Sequence, residues 1–352
     1  MPRHKNLPRL CFVGPMLGAN PGWVVSQGEI LTGLFACEGY SVRMTSATPN
    51  RALRLVDTVK SLLAWQQQID LVILMVFSGP AFAMADVASL VTRWTGKPLV
   101  LWLHGGNLPE FSLHHPHWVR RILRRGHLIV SPSDYLAHHF RGFGFPVRVI
   151  PNVLSIENYP FRVRSSVQPR LLWMRTFEDI YNPGMAVRAL GRLKQEYPLA
   201  TLTMAGQDRG LLEPTRRLAV ESGLGESIRF VGFLDLAGKQ QEFFAHDIFL
   251  NTNQVDNMPV SVVEAAAFGL PIVATAVGGL PYMLEHEKTG LLVASEDVQG
   301  MADAVVRLVR EPGLAARLSQ NGRLLAESSA WPGIYNQWEQ LFVEILNRNS
   351  SR

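Results

Sequence analysis

Asp256 and Glu264, separated by seven residues, bracket a helix start within the stretch 253–293, NQVDNMPVSVVEAAAFGLPIVATAVGGLPYMLEHEKTGLLV. Pro259 suits a first helical turn, where its missing N–H costs nothing. Val260 to Phe268 is rich in Ala, and Gly269 stands where a left-handed residue would end the helix. A helix entered from a strand and loop offers unpaired amides and the positive end of its dipole, an anion site. The segment Asn257, Met258, Pro259, Val260 is therefore expected to hold a phosphate. Glu264, a turn further in, can accept hydrogen bonds from the two vicinal hydroxyls of a ribose. Asp256, just before the helix, can hold a second polyol. Phosphate, ribose and another hydroxylated ring together describe a nucleotide sugar.

These groups need a scaffold, and the surrounding pattern supplies one. PIVAT (271–275) reads as a buried parallel strand, followed by the tight turn Val277-Gly278-Gly279. Upstream, apolar runs at 171–174, 200–205, 228–230 and 248–251 alternate with helical patterns at 184–197, 213–222 and 239–244. In the first half, strands are expected at 10–13, 40–45, 70–77, 98–103, 127–131 and 147–150. Helices are expected at 24–39, 52–68, 82–94 and 134–140, the last capped by Ser133. Regular alternation of this kind is an α/β pattern with parallel sheets. The stretch 154–170, with scattered polar residues and prolines, reads as a linker. Helices at 300–308, 314–328 and 331–346 close the chain. The opening strand, glycine-bearing loop (Gly14, Gly18, Gly22) and helix are arranged like a dinucleotide-binding unit, but G-x-G-x-x-G is absent.

Asp256-x7-Glu264-Ala265, Gly269-x-Pro271-Ile-Val-Ala-Thr, Gly278-Gly279-x-Pro281 and Thr289-Gly290-Leu-Leu-Val together resemble the donor-binding segment of family 4 glycosyltransferases. The resemblance covers nearly the whole chain, most specifically 253–293 and more loosely 98–106 and 171–183. It implies a GT-B fold: two Rossmann-like α/β domains facing across a cleft, with the C-terminal helix crossing back to the first. The implied domains are 1–155 with 331–352, acceptor-side, and 156–330, nucleotide-sugar-binding. The implied activity is transfer of a sugar from a nucleotide-sugar donor, with retention of anomeric configuration, to a glycan, lipid-linked or small-molecule acceptor in polysaccharide or glycoconjugate biosynthesis. The resemblance places His104, after the strand PLVLWL, against the transferred sugar near the reacting carbon, and Asp256 on the sugar hydroxyls. It puts Arg175 on the donor diphosphate, Glu264 on the ribose and the backbone around Phe233 on the base. Gly206 turns toward the donor, while Asn20 and Gly22 lie on the acceptor side, with ordinary loop structure the more natural reading for Asn20. Where the family carries a second cation as Lys-Gly, this chain has Asn182-Pro183, and Arg209 offers a substitute.

No DxD motif occurs, in keeping with metal-independent donor binding, and no cofactor beyond the donor substrate is expected. Histidines 114, 115 and 117 do not share one helix face and have no nearby Cys or Asp, so they read as a solvated loop rather than a metal site. The formal net charge of +5 favours acidic partners. No aromatic-plus-basic nucleic-acid stripe accompanies it, whereas nucleotide phosphates or an anionic membrane surface account for its sign. The segment WVRRILRR (118–125) keeps a peripheral membrane contact open, beside the simpler reading of an exposed helix with its inner face on the core. The two cysteines, Cys11 and Cys37, form no disulfide framework and suit a reducing, cytoplasmic setting. The basic N-terminal segment is too short and too broken by Gly14 and Pro15 for a signal peptide, and no run is long enough to span a membrane. Two other readings stay open: a nucleotide-sugar epimerase of the same fold, and a non-catalytic nucleotide-sugar-binding subunit. A nicotinamide dehydrogenase is disfavoured by the missing glycine fingerprint.

Overall fold

A computed structural model describes residues 7–20 and 22–350. The chain forms two units, Met1–Val153 with Pro332–Arg352, and Leu154–Trp331. Each is a Rossmann-like α/β domain built on a six-stranded, wholly parallel sheet.

The first unit carries β1 (Leu10–Val13), β2 (Val42–Thr45), β3 (Leu71–Val76), β4 (Leu99–Leu103), β5 (Leu128–Ser131) and β6 (Arg148–Val149), in the order β2-β1-β3-β4-β5-β6. β1, β3 and β4 are buried along their whole length, because helices cover both faces of a parallel sheet. The order reverses between β1 and β3, so the loops after these strands splay apart at their carboxyl ends. The helix after β1 runs from Gln27 to Cys37, shorter than the expected 24–39. Ser26 and Glu29 form a capping box: the Glu29 amide donates to Ser26 Oγ, and the Ser26 amide to Glu29 Oε2 (2.7 Å). Glu29 Oε1 also accepts the Gly18 amide at 2.8 Å, which ties the glycine-bearing loop to the helix.

Two expectations fail in this unit and at its exit. The histidines at 114–117 do not lie in a loop: His114 ends the helix Leu108–His114, and His117 belongs to the helix Pro116–Leu123. Pro116 starts the second helix at a position where its missing amide costs nothing, leaving His115 as the break. The stretch 154–170, expected as a linker, is a packed strap on the second unit. Arg164, 2% exposed, donates to the carbonyls of Phe268 (3.1 Å) and Phe243 (2.8 Å), completing acceptors that helix ends leave open. The amphipathic segment 118–125 settles on the core: Val119, Ile122 and Leu123 are buried, and Trp118 donates to Asp86 at 2.7 Å. The closing helix, Trp331–Ser350, returns to the first unit as expected. There Trp338 meets Trp102 edge-on at 5.4 Å and Phe342 meets Phe35 at 5.3 Å.

The second unit carries β7 (Arg170–Met174), β8 (Thr201–Ala205), β9 (Ile228–Gly232), β10 (Ile248–Asn251), β11 (Ile272–Thr275) and β12 (Leu291–Val293). Its order, β12-β11-β10-β7-β8-β9, is that of a dinucleotide-binding sheet, with its reversal between β7 and β10. The helix Val260–Phe268 lies almost wholly buried between β10 and β11, entered through Pro259 and ended by Gly269 at φ +82°.

Candidate functional site

Ligands of open α/β sheets bind beyond the strand carboxyl ends, at the point where strand order reverses. In the second unit that point lies between the loops after β7 and β10, and the chain crosslinks the two. The Arg175 guanidinium, immediately after β7, pairs with the Asp256 carboxylate in the loop after β10. Asp256 also accepts from Asn253 Nδ2 (2.6 Å) and from the Asn257 amide (2.7 Å). Arg175 stacks over the Tyr181 ring at 4.0 Å, and the Gln254 amide donates to the Ile180 carbonyl at 2.8 Å.

Backbone shape completes this corner. Gly278 (φ +53°) and Gly279 press so closely on the loop that a Cβ would lie 2.1 Å from the Asp256 carbonyl oxygen and 1.7 Å from that of Asn257. The Gly279 amide donates to the Asp256 carbonyl at 3.0 Å. Only glycine permits this approach, and it brings the turn after β11 onto the start of the helix Val260–Phe268. Gly206, after β8, does the same to Arg175: its Cβ would lie 1.8 Å from the Arg175 carbonyl. Buried side-chain atoms without a partner among the described residues gather here, namely Arg175 Nε, Asn253 Oδ1 and Ser261 Oγ. Leaving such a group unsatisfied costs about 1–3 kcal/mol, which favours a ligand or water that completes it.

Glu264 sits one turn into the helix, 4% exposed. Its Oε1 accepts from Tyr159 Oη (3.0 Å) and from Lys239 Nζ (2.8 Å), and its Oε2 lies 3.1 Å from the same lysine. Burial, and then the neighbouring carboxylate, push the Tyr159 phenol well above its ordinary range, so it stays a donor. Neither partner was foreseen. Tyr159 lay in the supposed linker and Lys239 is 25 residues away on the helix Leu236–Ala245, so no local pattern points to either.

The remaining second-unit residues are held separately. Asn182 is left-handed (φ +44°) and caps the helix Pro183–Leu193, accepting the Met185 amide at 3.2 Å. Asn is among the few residues that tolerate this conformation. Arg209 is half exposed and lies 3.7 Å from Glu178, so part of its charge is already matched. Phe233 follows β9 with about half its surface exposed. Met258 and Val260 flank Pro259 at the helix start.

In the first unit His104 directly follows β4, its amide donating to the Val76 carbonyl at 2.9 Å. Its ring stacks on Phe77 (5.4 Å between centroids) and meets Trp102 edge-on at 4.1 Å. Burial pushes its pKa down to about 3, so the imidazole is neutral at physiological pH. Asn20 donates to the carbonyls of Leu17 (3.1 Å) and Ala47 (3.0 Å), a loop-holding role. Gly22 is exposed with φ +78°.

This arrangement has relatives. Residues 35–158 match the family description "Glycosyltransferase Family 4", and residues 168–311 match "Glycosyl transferases group 1". The chain belongs to the family 4 glycosyltransferases. It is 27% identical to the amylovoran biosynthesis glycosyltransferase AmsK of Erwinia amylovora over 251 residues, 67% of this chain and 61% of that one. With glycogen synthase of Mycobacterium tuberculosis the identity is 29% over 224 residues, 60% of this chain and 52% of that one. The chain thus spans about half to three fifths of the length of these curated relatives. Among solved structures, sucrose-phosphate synthase of Thermosynechococcus elongatus matches 97% of this chain and 100% of its own, with TM-score 0.83 and 18% identity. Anabaena HepE in complex with UDP-glucose matches 96% and 100%, with TM-score 0.74 and 17% identity. At such identities these likenesses speak for the fold, and the two-domain Rossmann-like architecture of the family is the one described above. Asn182-Pro183, where the resemblance implies Lys-Gly, is a helix cap.

Proposed function

We propose that this family 4 glycosyltransferase moves a sugar from a nucleoside diphosphate to an acceptor hydroxyl, with retention and without a metal ion. The observation that carries the reading is the Arg175–Asp256 crosslink at the β7/β10 reversal, surrounded by unsatisfied buried Arg175 Nε, Asn253 Oδ1 and Ser261 Oγ. The donor diphosphate takes acceptor positions beside Arg175 and the amides that open the helix Val260–Phe268. Asp256 and Asn253 hold the sugar hydroxyls, and Glu264 exchanges part of its bonding with Lys239 for the ribose diol.

In the transfer the bond between the anomeric carbon and the phosphate oxygen breaks, and a bond from the acceptor oxygen forms on the same face. The acceptor proton passes to the departing phosphate. The negative charge that develops on the diphosphate is what Arg175 and the helix amides stabilise, a role that a metal ion plays in other sites. His104, neutral, orients the sugar ring rather than holding charge near it.

HepE, crystallised with UDP-glucose, makes uridine diphosphate sugars the first donors to try. UDP release would be followed with and without EDTA, and the anomeric coupling of the product read by proton NMR. Turnover that survives the chelator and gives the donor's own anomer supports the reading. An inverted product, or activity abolished by EDTA and restored by a divalent ion, overturns it. Asn182, a cap where the family has a cation, favours a second reading in which the chain binds donor without transferring it. Calorimetric donor binding with no UDP release across varied acceptors would select that alternative.

A further inference from the structure

A groove of about 930 Å³ lies in the first unit, lined by Arg93, Lys97, Arg124, Arg125, His127 and Arg348 together with Gly96, Gly126, Ile345 and Asn347. Its place in the fold sets it apart from the site already described. Lys97 precedes β4 and His127 immediately precedes β5, so the groove sits at the amino ends of these parallel strands. His104 follows the same β4 at its carboxyl end, a strand length away, roughly 17 Å at about 3.3 Å per residue. The groove is not part of the sugar-transfer site.

Its electrostatics are one-sided. Among the described residues, five formal positive charges line it and no carboxylate does. The two acids behind it are each shared between two arginines: Asp86 by Arg121 and Arg125, Glu344 by Arg148 and Arg348. Arg93 and Arg124 make no ion pair or side-chain hydrogen bond among the described residues. The Leu99 amide donates to His127 Nδ1 at 3.1 Å, which ties the ring to the start of β4. Like charges held together in this way repel unless an anion joins them. Guanidinium forks match the geometry of phosphate oxygens, and the volume is that of a small-molecule site.

We infer that this groove is a second anion site, which binds a multiply charged phosphate group at the amino ends of β4 and β5. The phosphate belongs either to a free phosphorylated molecule or to a lipid headgroup. Trp94, 79% exposed and one residue from Arg93, supplies the apolar contact that only the lipid source would use.

The full chain would be titrated calorimetrically with tripolyphosphate at low salt, as wild type, as the double variant Arg93→Gln with Arg124→Gln, and as Arg175→Ala. The wild type should show two classes of site. The double variant should lose the groove class, its affinity falling at least about tenfold, since each substitution removes charge-assisted hydrogen bonds to the phosphate. Arg175→Ala should lose only the other class, so failure of the groove and failure of the donor site are read separately. Both substituted arginines lie at exposed helix ends, and circular dichroism would show that the fold persists.

Cosedimentation with phosphatidylglycerol/phosphatidylcholine vesicles, against phosphatidylcholine alone, separates the two sources. Binding that falls in the double variant and in Trp94→Ser assigns a lipid phosphate. Tripolyphosphate binding lost in the double variant with vesicle binding unaffected assigns a free one. Isotherms and sedimentation that the double variant leaves unchanged overturn the site.

Discussion

The carboxyl-end corners of the two units hold their polar residues by opposite means. In the second unit the acids at 256 and 264 are each gripped by a cation from a distant element, Arg175 and Lys239. In the first, His104 is held neutral between two aromatic rings. One corner stores charge that a ligand can take over, and the other keeps charge out. On the proposed reading, the first kind of corner grips a diphosphate and releases it, and the second serves a group that only orients a sugar.

The largest effect is expected where the stored charge is most buried. Lys239→Ala leaves the Glu264 carboxylate, 5% exposed, with only the Tyr159 hydroxyl, and Glu264→Ala strands the lysine. Breaking a buried pair from one side costs about 3–5 kcal/mol, so urea unfolding should show a loss near the lower bound, because Lys239 is a quarter exposed. The double variant Lys239→Met/Glu264→Leu should recover most of that stability while donor binding stays lost. Recovery of both would detach Glu264 from the donor.

Next comes the charge itself. Arg175→Ala should lower kcat/KM by about 10²–10³, the effect of removing one group that stabilises a leaving anion, with a smaller loss of stability than Lys239→Ala because Asp256 keeps the Asn253 side chain and the Asn257 amide as donors. Arg175→Lys should recover only part, because a lysine lacks the planar fork that spans Asp256 and a phosphate. A variant whose stability falls as far as that of Lys239→Ala would make the Arg175–Asp256 crosslink structural rather than catalytic.

The neutral corner predicts a pH dependence of definite sign. An unfolded His104 titrates near 6.5 and the folded one near 3, so between those values the unfolded chain binds more protons. The contribution is complete above pH 6.5 and is lost as pH falls toward 3. It is on the order of 2 kcal/mol once the ring's partial exposure is allowed for, against 1.36 kcal/mol per pKa unit. Urea unfolding of wild type and His104→Asn at pH 7, 5 and 4 should show the acid limb flattened in the variant. Equal slopes would mean the ring is open to water.

How much of this corner was legible follows from how local each signal is. The helix at 260–268 could be read to the residue, because Pro259 and Gly269 mark its ends and both constraints are backbone ones. The Asp256 loop was legible for the same reason. The Ser26/Glu29 box shortens its helix by three residues at the start, a signal present in the chain but outweighed by the apolar Val24 and Val25, which proved exposed. The partners of Glu264 were not legible, since Tyr159 and Lys239 meet it only through folding across 105 and 25 residues. The strap 154–170 read as a linker because what holds it, Arg164 on the helix-end carbonyls, is a tertiary bond from a residue type that is usually exposed.

The smallest effect tests a place where this chain departs from the Lys-Gly that the resemblance implies. Asn182 does two jobs at once: it accepts the Met185 amide and it tolerates φ +44°. Asn182→Ala loses the cap, which is worth about 1 kcal/mol, and adds the strain of a left-handed alanine. Asn182→Gly loses only a few tenths, since glycine takes the conformation freely. Asn182→Lys with Pro183→Gly restores the cation the family usually carries. That pair gives up the cap and the proline's rigidity, so unfolding should show a cost on the order of 1 kcal/mol. A single added charge hydrogen-bonded to a phosphate contributes about 1.5–3 kcal/mol, so donor KM should fall roughly tenfold in the same variant. If KM stays put while stability drops, Arg209 or the helix amides already supply what the missing lysine would, and the neutral cap is a working substitute rather than a weakened grip.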